Sequence, residues 1–330
     1  MASASPRIGI LLLQLGTPDA PTPGALRRYL RQFLLDRRVI ELPRAVWWPI
    51  LNLFVLPRRP AKSAKLYQKV WSPGGSPLLV TTCAQAAALA ERLDRTNPGR
   101  VLVTTGMRYG HPSIAFAADE LIAAGCDRIL AFPMYPQYAS ATTGSSIEEL
   151  FDHLGTLRVV PSVRVVPPYF DDPAYIAALA QVARLSLGDF DPEQFVISFH
   201  GLPKRYATMG DPYPEQCIAT ARALIVEMGW PAERVTTSFQ SRFGREEWLT
   251  PYTDESLVAL AGRGVSTVAA LCPGFTADCL ETIEEMGITN RKMYQKAGGT
   301  EYRLLPCLNV APVWSDAMAT IARRELSGWI

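Results

Sequence analysis

Six short apolar runs punctuate the chain, and each breaks off in a polar or aromatic turn. They are IGILLLQLGTP (8–18), VLVTTGMRYG (101–110), RILAFPMYPQYA (128–139), FVISFHGLP (195–203), VTTSFQSRFG (235–244) and STVAALCPGFTA (266–277). Between them lie stretches with apolar residues at helical spacing, such as QAAALAERLDRTNPGR (85–100) and EQCIATARALIVEMGWPAER (215–234). Near-continuous apolar runs alternating with amphipathic helices predict an α/β fold whose parallel sheets are covered on both faces.

The pattern occurs twice. Arg-Tyr-Gly closes the run at 108–110 and Arg-Phe-Gly the run at 242–244, and the stretches before and after each also correspond. Two similar Rossmann-like halves around a cleft are therefore expected, one over 1–170 and one over 171–330. The halves differ in one spacing. Pro18 and Gly110 are 92 residues apart, Pro203 and Gly244 only 41, so the first half carries about 51 extra residues, placed at 19–70. Within it, residues 27–69 hold eight Arg and three Lys against Asp36 and Glu41, interleaved with Trp47, Trp48, Leu51, Phe54 and Leu56. A fold that is complete without this insertion leaves it free to act as a basic, aromatic lip.

Open parallel sheets bind ligands at the carboxyl ends of their strands. All six turns should lie on that rim, and so should His200, one of three histidines in the chain. A second group of candidates stands in CPGFTADCLETIEEM (272–286), where Asp278, Glu281 and Glu285 repeat at i, i+3 and i+7 of an expected helix. Either they form a solvated face, or they line the cleft and conduct cations or protons. A neutral imidazole with a carboxylate suits transient Fe²⁺ or Mn²⁺, yet two ligands are too few for a structural site.

Composition narrows the classes. Hydrophobic residues at 48% and charged residues at 19% describe a folded globular chain, and a net charge of +2 gives no case for nucleic acid. The longest apolar stretch, AVWWPILNLFVLP (45–57), is too short and too broken by Pro49 to span a bilayer. The N-terminal apolar run leads into a loop motif and is expected to be a strand, not an export signal. A cytoplasmic setting follows, with the six cysteines, which form no C-x-x-C pair, as mostly buried free thiols. No GxGxxG or GxxxxGK[ST] stands at a strand end, which removes the dinucleotide and P-loop readings.

The motifs SFHGLPKRY, SFQSRFGREEWLTPYT, CPGFTADCLETIEEM, YPQYASATTGSS and QLGTPDAPT, in order over nearly the whole chain, resemble those of the ferrochelatase family, in the form of its proteobacterial branch. The resemblance implies a chelatase-type fold and an enzyme that inserts ferrous iron into protoporphyrin IX, the last step of haem synthesis, with no required cofactor. It places the family's essential histidine on His200 and its essential acid on Glu281, facing each other across the macrocycle as the transient iron ligands. Glu285 continues the acidic line, with Asp278 nearby. Trp248 falls at the porphyrin edge, and Tyr135, Gln137, Tyr138, Thr143, Arg108 and Tyr109 match the family's other substrate-binding segments. Gln14 departs from the Asn usual before LGTP.

Protoporphyrin is a wide apolar disc bearing two carboxylates, which an aromatic lip with arginines complements. Arg27, Arg28 and Arg31 are the propionate candidates, unless they are only a basic helix face. AVWWPILNLFVLP between Arg44 and Arg58–Arg59 has the character of an interfacial segment, implying peripheral membrane contact, and equally of a pocket cap or a subunit interface. Some family members carry a [2Fe–2S] cluster, for which Cys217, Cys272, Cys279 and Cys307 are the candidate ligands, although the Cys-rich C-terminal extension of the animal enzymes is absent from a chain ending in SGWI. Neighbouring readings are a cobalt or nickel chelatase, which tends to use paired histidines, a coproporphyrin chelatase, and a non-catalytic binding protein.

Overall fold

The computed structural model describes residues 7–244 and 246–330. The chain divides into two compact units, Met1–Tyr135 with Ala139–Pro167 and Met318–Ile330, and Pro136–Tyr138 with Pro168–Ala317.

In the first unit, β1 (Arg7–Gly16), β2 (Val101–Tyr109), β3 (Cys126–Pro133) and β4 (Ser162–Val165) form a parallel sheet in the order β2-β1-β3-β4. Central β1 is buried along nearly its whole length, as its uninterrupted apolar sequence requires. The LGTP and RYG turns meet where β1 and β2 end. Gly16 has φ +106°, and a Cβ there would lie 1.7 Å from the carbonyl oxygen of Tyr109, so only glycine fits. In the second unit, β5 (Gln194–His200), β6 (Val235–Gln240), β7 (Thr267–Leu271) and β8 (Glu301–Leu304) repeat that topology as β6-β5-β7-β8, again all parallel. The six runs found in the sequence are the six inner or first-paired strands. The remaining strands, β4 and β8, each at one edge of its sheet, have only four residues and leave no comparable signal.

The insertion folds as a helix over Pro23–Leu35, a helix over Arg44–Ile50 that widens into a π-helical turn at Leu51–Val55, and a helix over Arg59–Val70. Thr22 caps the first, its Oγ1 accepting from the N–H of Ala25, with Pro23 at the first helical position. The adjacent tryptophans serve opposite purposes. Trp47 is buried and donates from Nε1 to the carbonyl of Leu34 at 2.6 Å, while Trp48 is 54% exposed.

The boundary expected at 170 lies near 167, and the last residues group with the first unit instead of the second. The cause is local. Arg164 donates to the carbonyls of Glu325 and Ser327 and stacks over Trp329, Arg100 donates to the carbonyl of Trp329, and Arg323 donates to that of Arg92.

Candidate functional site

The second unit gathers the central candidates at the carboxyl end of its sheet. β5 ends at His200, whose register partner is Gln240, the last residue of β6. Gly201 turns the chain away immediately, and a Cβ on it would lie 2.9 Å from the carbonyl oxygen of Gln240 and 3.2 Å from the Trp248 ring. His200 is half-buried, its ring 6.4 Å from that of Trp248, and its Nδ1 lies 2.6 Å from the carbonyl oxygen of Gly201. A carbonyl only accepts, so Nδ1 carries the proton. Nε2 is left with its lone pair, able to take a proton or a metal ion.

After β7 the chain passes through CPGFTAD and enters a ten-residue π-helix, Glu281–Asn290. Its turns hold between four and five residues, so Glu281 and Glu285, four apart, stand on one face. Asp278 lies before the helix and is occupied elsewhere, accepting from Thr282 Oγ1 at 2.8 Å and Asn309 Nδ2 at 2.6 Å. The expected stripe of three carboxylates is thus a pair. Glu285 accepts from Ser241 twice, from its N–H at 2.8 Å and its Oγ at 2.5 Å. Burial nonetheless pushes the Glu285 carboxyl above its ordinary range, with Glu281 adding to the push, against the opposing pull of Ser241 and His200. An imidazole lone pair beside two carboxylates can collect a divalent cation and accept protons in exchange.

Gln137 and Tyr138 also belong to this unit. Gln137 is buried and donates from Nε2 to Thr220 Oγ1 at 2.8 Å, and the N–H of Tyr138 donates to Gln216 Oε1 at 2.7 Å. Both contacts hold the YPQY segment to the helix over Tyr213–Met228.

The remaining candidates lie in the first unit. Arg108 and Tyr109 converge on Asp36, which follows the first helix of the insertion. Its carboxylate accepts from Arg108 at 2.7 Å, Tyr109 Oη at 2.7 Å, Ser145 Oγ at 2.5 Å and the N–H of Arg38 at 2.7 Å. Burial pushes the Asp36 carboxyl up, but these donors outweigh it and hold it below the usual range. Arg108 is held further by Ser145 and Glu149, and Tyr109 is fully buried. These two residues therefore fasten the insertion to the end of β2. Tyr135 has a hydroxyl that burial pushes upward, and Thr143 is buried nearby in sequence, in a π-helical turn over Ser140–Gly144. Arg28 is exposed and pairs with Asp19, Arg31 is exposed, and Arg27 donates to the carbonyl of Leu56. The other two histidines each face a carboxylate, His111 with Asp19 and His153 with Asp119.

All four cysteines proposed as cluster ligands are buried free thiols, and burial pushes each upward, away from the thiolate that iron requires. Among the described residues, no three or more His, Cys, Asp or Glu side chains are gathered so as to hold a metal ion.

Sequence reasoning missed Gln240 and Ser241. Their signal was present in QSRFG at a strand end, but polar residues there read as an ordinary turn.

A ferrochelatase family model matches residues 7–326. A ferrochelatase of Methylocella silvestris is 46% identical over 99% of this chain and 96% of its own length, and one of Klebsiella pneumoniae is 49% identical over 96% and 97%. Among solved structures, SirB from Bacillus subtilis with Fe³⁺ superposes with a TM-score of 0.56 at 15% identity, covering 98% of this chain and 97% of SirB. CbiX, a terminal enzyme of sirohaem synthesis in denitrifying bacteria, gives 0.50 at 14% identity, covering 96% and 98%. At such identity these two speak for the shared fold.

Proposed function

The chain belongs to the ferrochelatase family, and we propose that its reaction, exchange of ferrous iron for the two pyrrole protons of protoporphyrin IX, is carried out by His200, Glu281 and Glu285. The observation that carries this is the 2.6 Å contact of His200 Nδ1 with the Gly201 carbonyl oxygen, from which the proton on Nδ1 and the acceptor role of Nε2 follow. His200 takes a pyrrole proton through that nitrogen. The second pyrrole proton passes to Glu281, and Glu281 with Glu285, oxygen donors on one face of the π-helix, draws in the ferrous ion and hands that proton on to solvent. A flat porphyrin hides its nitrogen lone pairs, so binding over the whole disc must hold the ring bent for iron to enter. Trp248, beside His200, supplies part of that binding surface. No step is routed through an iron–sulfur cluster.

Two finer points belong to the same reading. The reaction runs in the cytoplasm, where thiols stay reduced. The lip touches the membrane peripherally, because Trp48, Leu53 (64% exposed) and Phe54 (60% exposed) lie near Arg58 in sequence, the pattern of an interfacial segment. Among the described residues no helix is long and apolar enough to cross a bilayer. Anaerobic turnover with ferrous iron, followed by the Soret band, tests the substrate: faster metalation of protoporphyrin IX than of coproporphyrin III is expected, and the reverse order overturns that choice.

A further inference from the structure

β5 carries a serine, Ser198, within a fully buried run, and its register partner on β6 is another buried serine, Ser238. Polar side chains at such positions need partners. They find them in one continuous chain. Ser238 Oγ lies 2.9 Å from Thr253 Oγ1, which lies 2.8 Å from Ser198 Oγ, which donates over 2.8 Å to Oε1 of Gln240. Gln240 then donates from Nε2 over 3.1 Å to the main-chain carbonyl of Glu281. Cys272, just past β7, gives Oε1 a second donor at 3.5 Å. Every side chain in the chain is buried.

Only one arrangement of protons satisfies this series. The Glu281 carbonyl can only accept, so the amide nitrogen faces it and the amide oxygen faces Ser198. The single proton of Ser198 is committed to that oxygen, so Thr253 donates to Ser198 and Ser238 to Thr253. Bonds pointing the same way polarise one another.

We propose that Gln240 is a positioning residue for metal insertion: its carboxamide ties β5 and β7 to the first residue of the π-helix and so sets Glu281 relative to His200. The main chain acts in the same direction, since the Gln240 carbonyl accepts from the N–H of Gly201 at 2.7 Å, directly after His200. Changing the side chain leaves that bond in place and isolates the amide. Of the side chains of this length, glutamine alone accepts at one end and donates at the other without having to be protonated. Glutamate makes both bonds only when protonated and sets a carboxylate against the Glu281 carbonyl when ionised, and methionine makes neither. Misplacement of reacting groups by an ångström is enough to slow catalysis severely.

The inference rests on His200 and Glu281 being the acting pair, so the test includes His200→Ala. Gln240→Glu, Gln240→Met and Ser198→Ala are compared with it in anaerobic steady-state assays, with thermal midpoints to establish folding and porphyrin titrations to establish binding. In Gln240→Met, and in Gln240→Glu once its carboxyl is ionised, kcat should fall at least about tenfold while the porphyrin KM and dissociation constant stay within about twofold. Ser198→Ala, which removes only one donor to the amide, should lower kcat about threefold. A kcat retained in folded Gln240 variants, or a rise in KM with kcat unchanged, overturns the inference while an inactive His200→Ala leaves the site reading intact. If neither Gln240 variant folds, unchanged kcat in Ser198→Ala overturns it. Turnover surviving in His200→Ala overturns the site reading itself.

Discussion

Ser241 holds Glu285 with both of its donors, and it does so from a left-handed backbone conformation, φ +67°, that non-glycine residues rarely adopt. The strand end is strained at the point where it grips the π-helix. Strain of this kind persists where surrounding structure enforces it, and here the enforcing contact is the Glu285 carboxylate.

That carboxylate works against folding. Burial raises the Glu285 pKa, so the native state binds a proton more readily than the unfolded chain. The resulting cost is absent below the ordinary carboxyl range, grows as pH rises through it, and is complete above the native pKa. Glu285→Gln removes the ionisation while keeping an acceptor for Ser241. The variant should melt at least ~2 °C higher than the parent at pH 8, with the difference shrinking toward pH 4, and should metalate ~10-fold more slowly or worse. Thermal melts across pH, together with anaerobic assays, check both halves.

Asp36 works in the opposite sense. Its carboxyl is held below the usual range, so its stabilisation is present above that range and is lost as pH falls through the native value. Asp36→Ala leaves Tyr109 and Arg108 without their shared acceptor and should cost about 3 kcal/mol or more at neutral pH. Denaturant midpoints should show the loss at pH 7 and little of it near pH 2.

The lip prediction concerns binding alone. Phe54→Ser with Leu53→Ser removes two exposed apolar side chains and should reduce co-sedimentation with anionic lipid vesicles by at least about fivefold. Equal sedimentation of variant and parent would dismiss membrane contact through this segment.

Much of the fold was written in the apolar runs. Continuous hydrophobicity in IGILLLQLG and FVISF marks strands buried on both faces, and the matched turns RYG and RFG expose the duplication. His200 could be placed at a strand end because the polarity of the chain changes there. What remained hidden has physical reasons. Asp278 joined the acidic stripe only on the expectation that the helix already covered it, whereas the helix begins after it. Asp36 looked like one of two acids in a basic segment, since its donors Tyr109 and Ser145 are 73 and 109 residues away. Ser198 and Ser238 pass as ordinary strand residues until their pairing is known. Short edge strands such as SVRV carry too few residues for any periodicity to emerge.

The account stands on His200 accepting a pyrrole proton beside Glu281, and anaerobic stopped-flow mixing of ferrous iron with porphyrin-loaded His200→Ala tests this most directly. Porphyrin absorbance on loading should match the parent, and the Soret shift of metalation should slow by ~100-fold or more. A variant that binds porphyrin and metalates it at the parental rate would contradict the account.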